Sequence, residues 1–179
     1  MASASRWLWV PIALVLAACG DLSPSGTDKR PPITPGIVGP NVGQIAPDFT
    51  LPDSLGDNVV LSTVVPSAKG VVLYFTMWCP TCDAHMSDMR SAVIPAFPNA
   101  RFFAVDYVCA SVAEARASEI ANGYVGSGFT VLADVGANVL GAYAATMGTT
   151  VVIDNTGVIR MSEDYRDGSN LRSVLAGLQ

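Results

Sequence analysis

The chain has 179 residues, half of them hydrophobic, and a formal net charge of −5, so it is long enough for one domain with a full core and carries no basic stripe of the kind that binds nucleic acid. Ten Lys and Arg stand against fifteen Asp and Glu. Any attachment to a membrane therefore has to come from apolar groups and not from a polybasic patch.

Residues 1–18 read as an export signal. Arg6 supplies the positive start, and Trp7 to Ala18 is an apolar stretch broken only by Pro11. It is shorter than the roughly 20 residues a membrane span needs. It ends in Leu16-Ala17-Ala18-Cys19, which resembles the lipobox of bacterial lipoproteins. That likeness implies cleavage before Cys19 and lipidation of its thiol, hence an exported protein anchored to a membrane on its periplasmic or cell-surface side. An ordinary secretory signal with a chance cysteine is the plainer alternative. Residues 19–44 carry Pro24, Pro31, Pro32, Pro35 and Pro40 with no apolar period, and are expected as an extended tether. The folded domain is expected over 45–179.

Ile45 to Asp53 is an edge-like element because its prolines exclude a central strand. Gly56-Asp57 marks a turn, and Val59 to Leu61 is a returning strand. The unbroken run Val71 to Phe75 is a buried strand. Asp83 to Val93 has Met86, Met89 and Val93 at helical spacing, and Pro95 stops it. Arg101 to Val105 is the next strand. Ser111 and Glu114 form a capping box for a helix running to about Asn122 and closed by Gly123. Phe129 to Leu132 is a strand, and Ala137 to Ala145 a helix. Thr149 to Ile153 and Val158 to Met161 make a hairpin around Asp154-Asn155-Thr156-Gly157. Ser169 is expected to cap the last helix, with Leu171, Val174, Leu175 and Leu178 on one face. Strands alternating with helices predict an α/β fold with a mixed central sheet flanked by helices.

The candidate chemistry lies in Trp78-Cys79-Pro80-Thr81-Cys82. The pair sits where a buried strand passes into a helix. There the first thiol meets unpaired backbone N–H groups and the positive end of the helix dipole, which favour a thiolate, the form that attacks a disulfide. A structural disulfide or half of a zinc site are the alternatives. His85, the single histidine, shares a helix face with Cys82, so Cys79, Cys82 and His85 form a candidate soft-metal cluster with Met77, Met86 and Met147 nearby. The same residues suit an ordinary helix histidine and core methionines, and no metal or other cofactor is assigned.

Ala46-Pro47-Asp48-Phe49-Thr50-Leu51, the Trp-Cys-Pro-Thr-Cys motif, and Thr149 to Gly157 together resemble successive signatures of the thioredoxin superfamily. The likeness spans Val42 to Gln179 and is strongest to TlpA-like and AhpC/TSA-like redoxin domains of exported bacterial proteins. It implies a thioredoxin-like fold with an N-terminal extension, and thiol–disulfide exchange with protein or small-molecule partners. Cys79 is then the attacking and Cys82 the resolving thiol, with Trp78, Pro80, Thr81, Gly148 and Thr149 on the partner surface.

Three positions depart from the pattern. Gly148 stands where such proteins usually place a cis-proline, and a cis bond there without proline is costly, so this loop is expected to be trans. Leu73 stands where many carry a buried acid, leaving Asp83 or His85 to move protons at Cys82. Pro80-Thr81 differs from the dipeptide of reducing thioredoxins. Thr76, three residues before Cys79, matches the Thr-x-x-Cys element of peroxiredoxins, although Val72 replaces that motif's proline. A peroxidase is therefore one alternative, with Cys79 oxidised to a sulfenic acid that Cys82 resolves. A copper-binding protein loosely similar to the Sco type is another, although the histidine there lies much further downstream. Cys109, after the strand containing Phe102 to Val105, is either a further resolving thiol or a hidden loop residue.

Overall fold

A computed structural model describes residues 33–178. In chain order the elements are β1 (Thr50–Pro52), β2 (Asn58–Val60), α1 (Leu61–Val64), β3 (Gly70–Thr76), α2 (Pro80–Asp88), β4 (Ala100–Asp106), α3 (Val112–Ala121), β5 (Phe129–Ala133), α4 (Asn138–Ala142), β6 (Thr149–Asp154), β7 (Ile159–Asp164) and α5 (Ser169–Gly177). β1 and β2 pair as a small hairpin. The other five strands form one sheet in the order β5-β4-β3-β6-β7. β3 runs parallel to β4 and antiparallel to β6, so the sheet is mixed, as expected.

β3 is central because nothing in it needs water. Val71 to Phe75 have no solvent exposure, and burying each such side chain contributes about 1.5–3 kcal/mol. Side chains of a strand alternate between its faces. Val72 and Tyr74 pack under α2, α3 and α5 with Cys82, Met86, Ala115, Leu171 and Leu175. Val71, Leu73 and Phe75 face the opposite layer with Leu51, Leu61, Val139 and Tyr143. This alternation decides which β3 residue can touch the helix that follows it.

Several boundaries differ from those expected. The export signal and Cys19 lie outside the described residues, but the end of the expected tether does not behave as one. The Gly36 N–H donates to the Gly43 carbonyl at 3.1 Å, and the Gly43 N–H to the Ile159 carbonyl at 2.9 Å. Gln44 is buried, and its Oε1 accepts from the Asn41 N–H at 2.9 Å. Residues 36–44 thus belong to the domain, held by backbone bonds that leave no apolar period. Leu61 opens α1 instead of closing β2. The helix expected over 83–93 begins at Pro80, because proline at the first helical position has no N–H to leave unpaired. It then loosens at Met89–Val93 into a π-helical turn and at Ile94–Ala96 into a 3₁₀ turn that takes Pro95 at its start. α4 is shorter than expected, and Ser169 does not cap α5: the capping position is Gly168, with φ 69°. The box at α3 is present, with Ser111 Oγ accepting from the Glu114 N–H at 3.2 Å and Glu114 Oε2 from the Ala110 N–H at 2.6 Å.

Candidate active site

At the C-terminal end of β3 the chain must turn sharply into α2. Met77 is exposed and Trp78 takes a left-handed backbone, φ 59°. Thr76 braces the turn, its Oγ1 accepting from the Trp78 N–H at 3.1 Å. Cys79 is the N-cap of α2, with its sulfur accepting from the Cys82 N–H at 3.1 Å. An N-cap acceptor satisfies one of the orphan donors of the first turn. Cys79 is half-buried, Cys82 is wholly buried, and both are free thiols. Pro80 and Thr81 between them are exposed.

Burial pushes the Cys82 thiol up, but hydrogen bonds from the Cys79 thiol, the Met77 and Cys79 backbone and the Thr76 hydroxyl outweigh it, and the net direction is down.

The remaining candidates fall into two groups around these sulfurs. His85, one turn past Cys82, has its Nδ1 3.0 Å from the hydroxyl of Tyr74, which reaches up from β3. The loop before β6 comes close to the same ring: a Cβ built at Gly148 would lie 3.7 Å from His85 Nδ1. Gly148 is trans with φ 85°, its N–H donates to the Phe75 carbonyl at 2.9 Å, and its carbonyl accepts from the Tyr165 N–H at 2.9 Å. Thr149 is buried, its hydroxyl bonded to Asp164 at 3.1 Å, so Gly148 is the nearer of the two to the Cys helix.

On the other side stands a residue the sequence reading did not single out. Asp106 ends β4 beside Thr76 and is completely buried. Its Oδ2 accepts from Trp78 Nε1 at 2.7 Å, and its Oδ1 from the N–H groups of Val108 and Cys109, each at 3.2 Å. Burial raises its carboxyl above the ordinary range, and these hydrogen bonds oppose the rise without cancelling it. Cys109 donates its thiol to the Asp106 carbonyl at 3.2 Å and is buried. Burial, reinforced by Asp106, pushes that thiol up to about 11, which suits the hidden loop residue and not a resolving thiol.

Asp83, considered above for proton handling, is exposed, and its carboxylate accepts from the Tyr124 hydroxyl at 2.7 Å. Leu73 faces the far layer, and the β3 side chain directed at α2 is Tyr74, one residue on. An aromatic with a polar tip in an otherwise apolar buried strand was the available signal.

A mixed sheet with a Cys-x-x-Cys pair capping the helix after its central strand defines a thioredoxin-like redoxin, a class of thiol oxidoreductases. The AhpC/TSA family profile matches residues 42–162, and the chain belongs to that family. Among solved structures, DsbF of Mycobacterium tuberculosis superposes with a TM-score of 0.61 at 22% identity, covering 73% of this chain and 95% of its own. Peroxidoxin BcpB of the same organism gives 0.59 at 22%, covering 76% and 95%. The yeast mitochondrial 1-Cys peroxiredoxin gives 0.63 at 17%, covering 77% and 76%. At these identities the likeness is one of fold. No curated protein matches the sequence.

Proposed function

We propose that the protein is a thiol–disulfide oxidoreductase in which Cys79 attacks and Cys82 resolves. The observation that carries this reading is the N-cap bond from the Cys82 N–H to the Cys79 sulfur at 3.1 Å, which holds a half-exposed cysteine and a buried one within a single helical turn. The Cys79 thiolate attacks a partner disulfide, a mixed disulfide forms, and Cys82 displaces the partner thiol, so that two electrons pass from the dithiol to the disulfide. Exposed Met77, Met147 and Val108, with exposed Pro80 and Thr81, offer an apolar surface for protein or small-molecule partners.

Family membership also raises peroxide reduction. The Thr76 hydroxyl accepts from the Trp78 N–H and not from the accessible sulfur, and this favours exchange. A disulfide-reduction assay on insulin is the test: wild type active and Cys79→Ser inactive supports the proposal, whereas peroxide consumption without exchange refutes it.

The export signal and Leu16-Ala17-Ala18-Cys19 support a location outside the cytoplasm, on a lipid anchor at Cys19. Mass spectrometry of the mature protein tests this, since the proposal requires Cys19 as first residue and added acyl mass.

A further inference from the structure

Resolution by Cys82 requires the loss of a proton from a sulfur with no solvent exposure. Two carboxylates beside the Cys motif are engaged elsewhere: Asp83 with Tyr124, and Asp106 with Trp78, Val108 and Cys109. The sulfur instead meets hydroxyls. Thr76 is one, but it is fully buried and leads nowhere. Tyr74 is the other: it packs with Cys82 in the core beneath α2, and its hydroxyl lies 3.0 Å from His85 Nδ1. His85 is half-exposed. Tyr74 thus stands between a dry sulfur that it packs with and a half-exposed ring that it touches.

Resting on the dithiol reading above, we propose that Tyr74 and His85 form a proton relay that activates Cys82 for resolution. As Cys82 forms its bond to the Cys79 sulfur, its S–H proton passes to the Tyr74 oxygen while the Tyr74 O–H proton passes to His85 Nδ1. The bond between Cys79 and the partner sulfur breaks, and its electron pair leaves with the partner as a thiolate. The imidazolium then returns its new proton to that thiolate or to water. No tyrosinate forms, which matters because burial and the neighbouring Cys82 push the Tyr74 phenol far above its usual range.

The relay needs neutral His85 with Nδ1 open as acceptor. Burial lowers the imidazole below its ordinary range, and Asp88 on the same helix opposes this. Asp88 is itself drawn away. Its Oδ2 accepts from the Tyr165 hydroxyl and lies 3.8 Å from Arg172 of α5. The His85 ring packs against Tyr165 at 4.9 Å and against Tyr74 at 6.1 Å between centroids, while the loop before β6 presents only the hydrogens of Gly148. The ring is therefore clamped with one nitrogen on Tyr74.

The relay is read with dithiobis(nitrobenzoate) mixed in stopped flow with reduced protein. The first coloured thiolate reports attack by Cys79 and the second reports resolution by Cys82. That leaving group departs as the anion, so the proton on Cys82 is the one at issue in the second phase. Tyr74→Phe keeps the buried ring, and His85→Ala alters only a half-exposed side chain. Each is expected to leave the first phase unchanged and to slow the second about tenfold or more at about pH 7, within the range of positioned acid–base groups. The double variant should be no slower than either single one. The deficit should close above about pH 9, where the thiol ionises unaided. A second phase unchanged in both variants, or slowed equally at every pH, overturns the relay while leaving the dithiol reading intact. If wild type releases only one coloured thiolate, the dithiol reading fails and the relay with it.

Discussion

Trp78 Nε1 donates to Asp106 Oδ2 at 2.7 Å, tying the residue before the attacking cysteine to the end of the neighbouring strand. Trp78 holds a left-handed backbone, and its ring also lies 6.0 Å from that of Tyr124. The indole is thereby fixed over the side of the Cys helix, and its N–H partly neutralises a carboxylate that burial would otherwise keep protonated.

Trp78→Phe should therefore destabilise the protein by about 1–3 kcal/mol at neutral pH, the range for a lost hydrogen bond to a buried charged group. The pH dependence has a defined sign. Burial raises the Asp106 carboxyl in the folded state, and loss of the indole bond raises it further. A raised acid binds its proton more tightly folded than unfolded, so its ionisation costs stability as pH rises through the folded value. The gap between variant and wild type is thus widest where Asp106 is ionised in wild type. Urea unfolding at about pH 7 and about pH 4 should show it narrowing toward acid.

Gly148→Pro, which restores the residue common in thioredoxin-like proteins, should harm this one. Proline fixes φ near −65° and has no N–H, while Gly148 sits at φ 85° with its N–H bonded to the Phe75 carbonyl at 2.9 Å. The expected loss in urea unfolding is about 3 kcal/mol or more. Gly148→Ala keeps the N–H, and its Cβ makes ordinary contact with His85. Its cost should be the left-handed strain alone, about 1–2 kcal/mol. Equal losses would mean that the bond to Phe75 adds nothing.

The site was legible where one segment supplied all of it. The run from Val71 to Phe75 and the Cys pair sit on consecutive elements, and local pattern alone places a thiol at a helix start. Asp106 lies 28 residues beyond Trp78 in sequence and meets it only because β4 pairs in register with β3, which no local period records. The resemblance points to Leu73, whereas strand alternation aims the next residue, Tyr74, at α2. The fold class followed from the order of strands and helices. Residues 36–44 did not, because backbone bonds to Ile159 and within the segment order them without an apolar stripe.

Cys109 should stay silent in catalysis. Its thiol is buried, bonded to the Asp106 carbonyl at 3.2 Å and raised to about 11, so little thiolate exists near neutral pH. Iodoacetamide applied to the reduced native protein should label Cys79 well before Cys109, as read by peptide mass spectrometry, and denaturant should abolish the difference. Cys109→Ala should retain wild-type exchange. Rapid native labelling at Cys109 would contradict this placement.

The ionisation of Cys82 should depend on Cys79. Burial pushes Cys82 up, and the Cys79 thiol is the foremost of the hydrogen-bonding groups that bring it down past its ordinary value. Cys79→Ala removes that group, so thiolate absorbance in the far ultraviolet should appear at higher pH in the variant than in wild type. The effect on stability runs opposite to that of Asp106. A thiol whose folded value is depressed adds stability that is fully present above its unfolded value, about 8.5, and is lost as pH falls through the folded value. Reduced wild type should therefore gain on Cys79→Ala between neutral pH and about pH 9 in urea unfolding. Oxidation to the disulfide removes both ionisations, and that pH-dependent gain should vanish with them. A gain that persisted in the oxidised protein would have to come from groups other than Cys79 and Cys82.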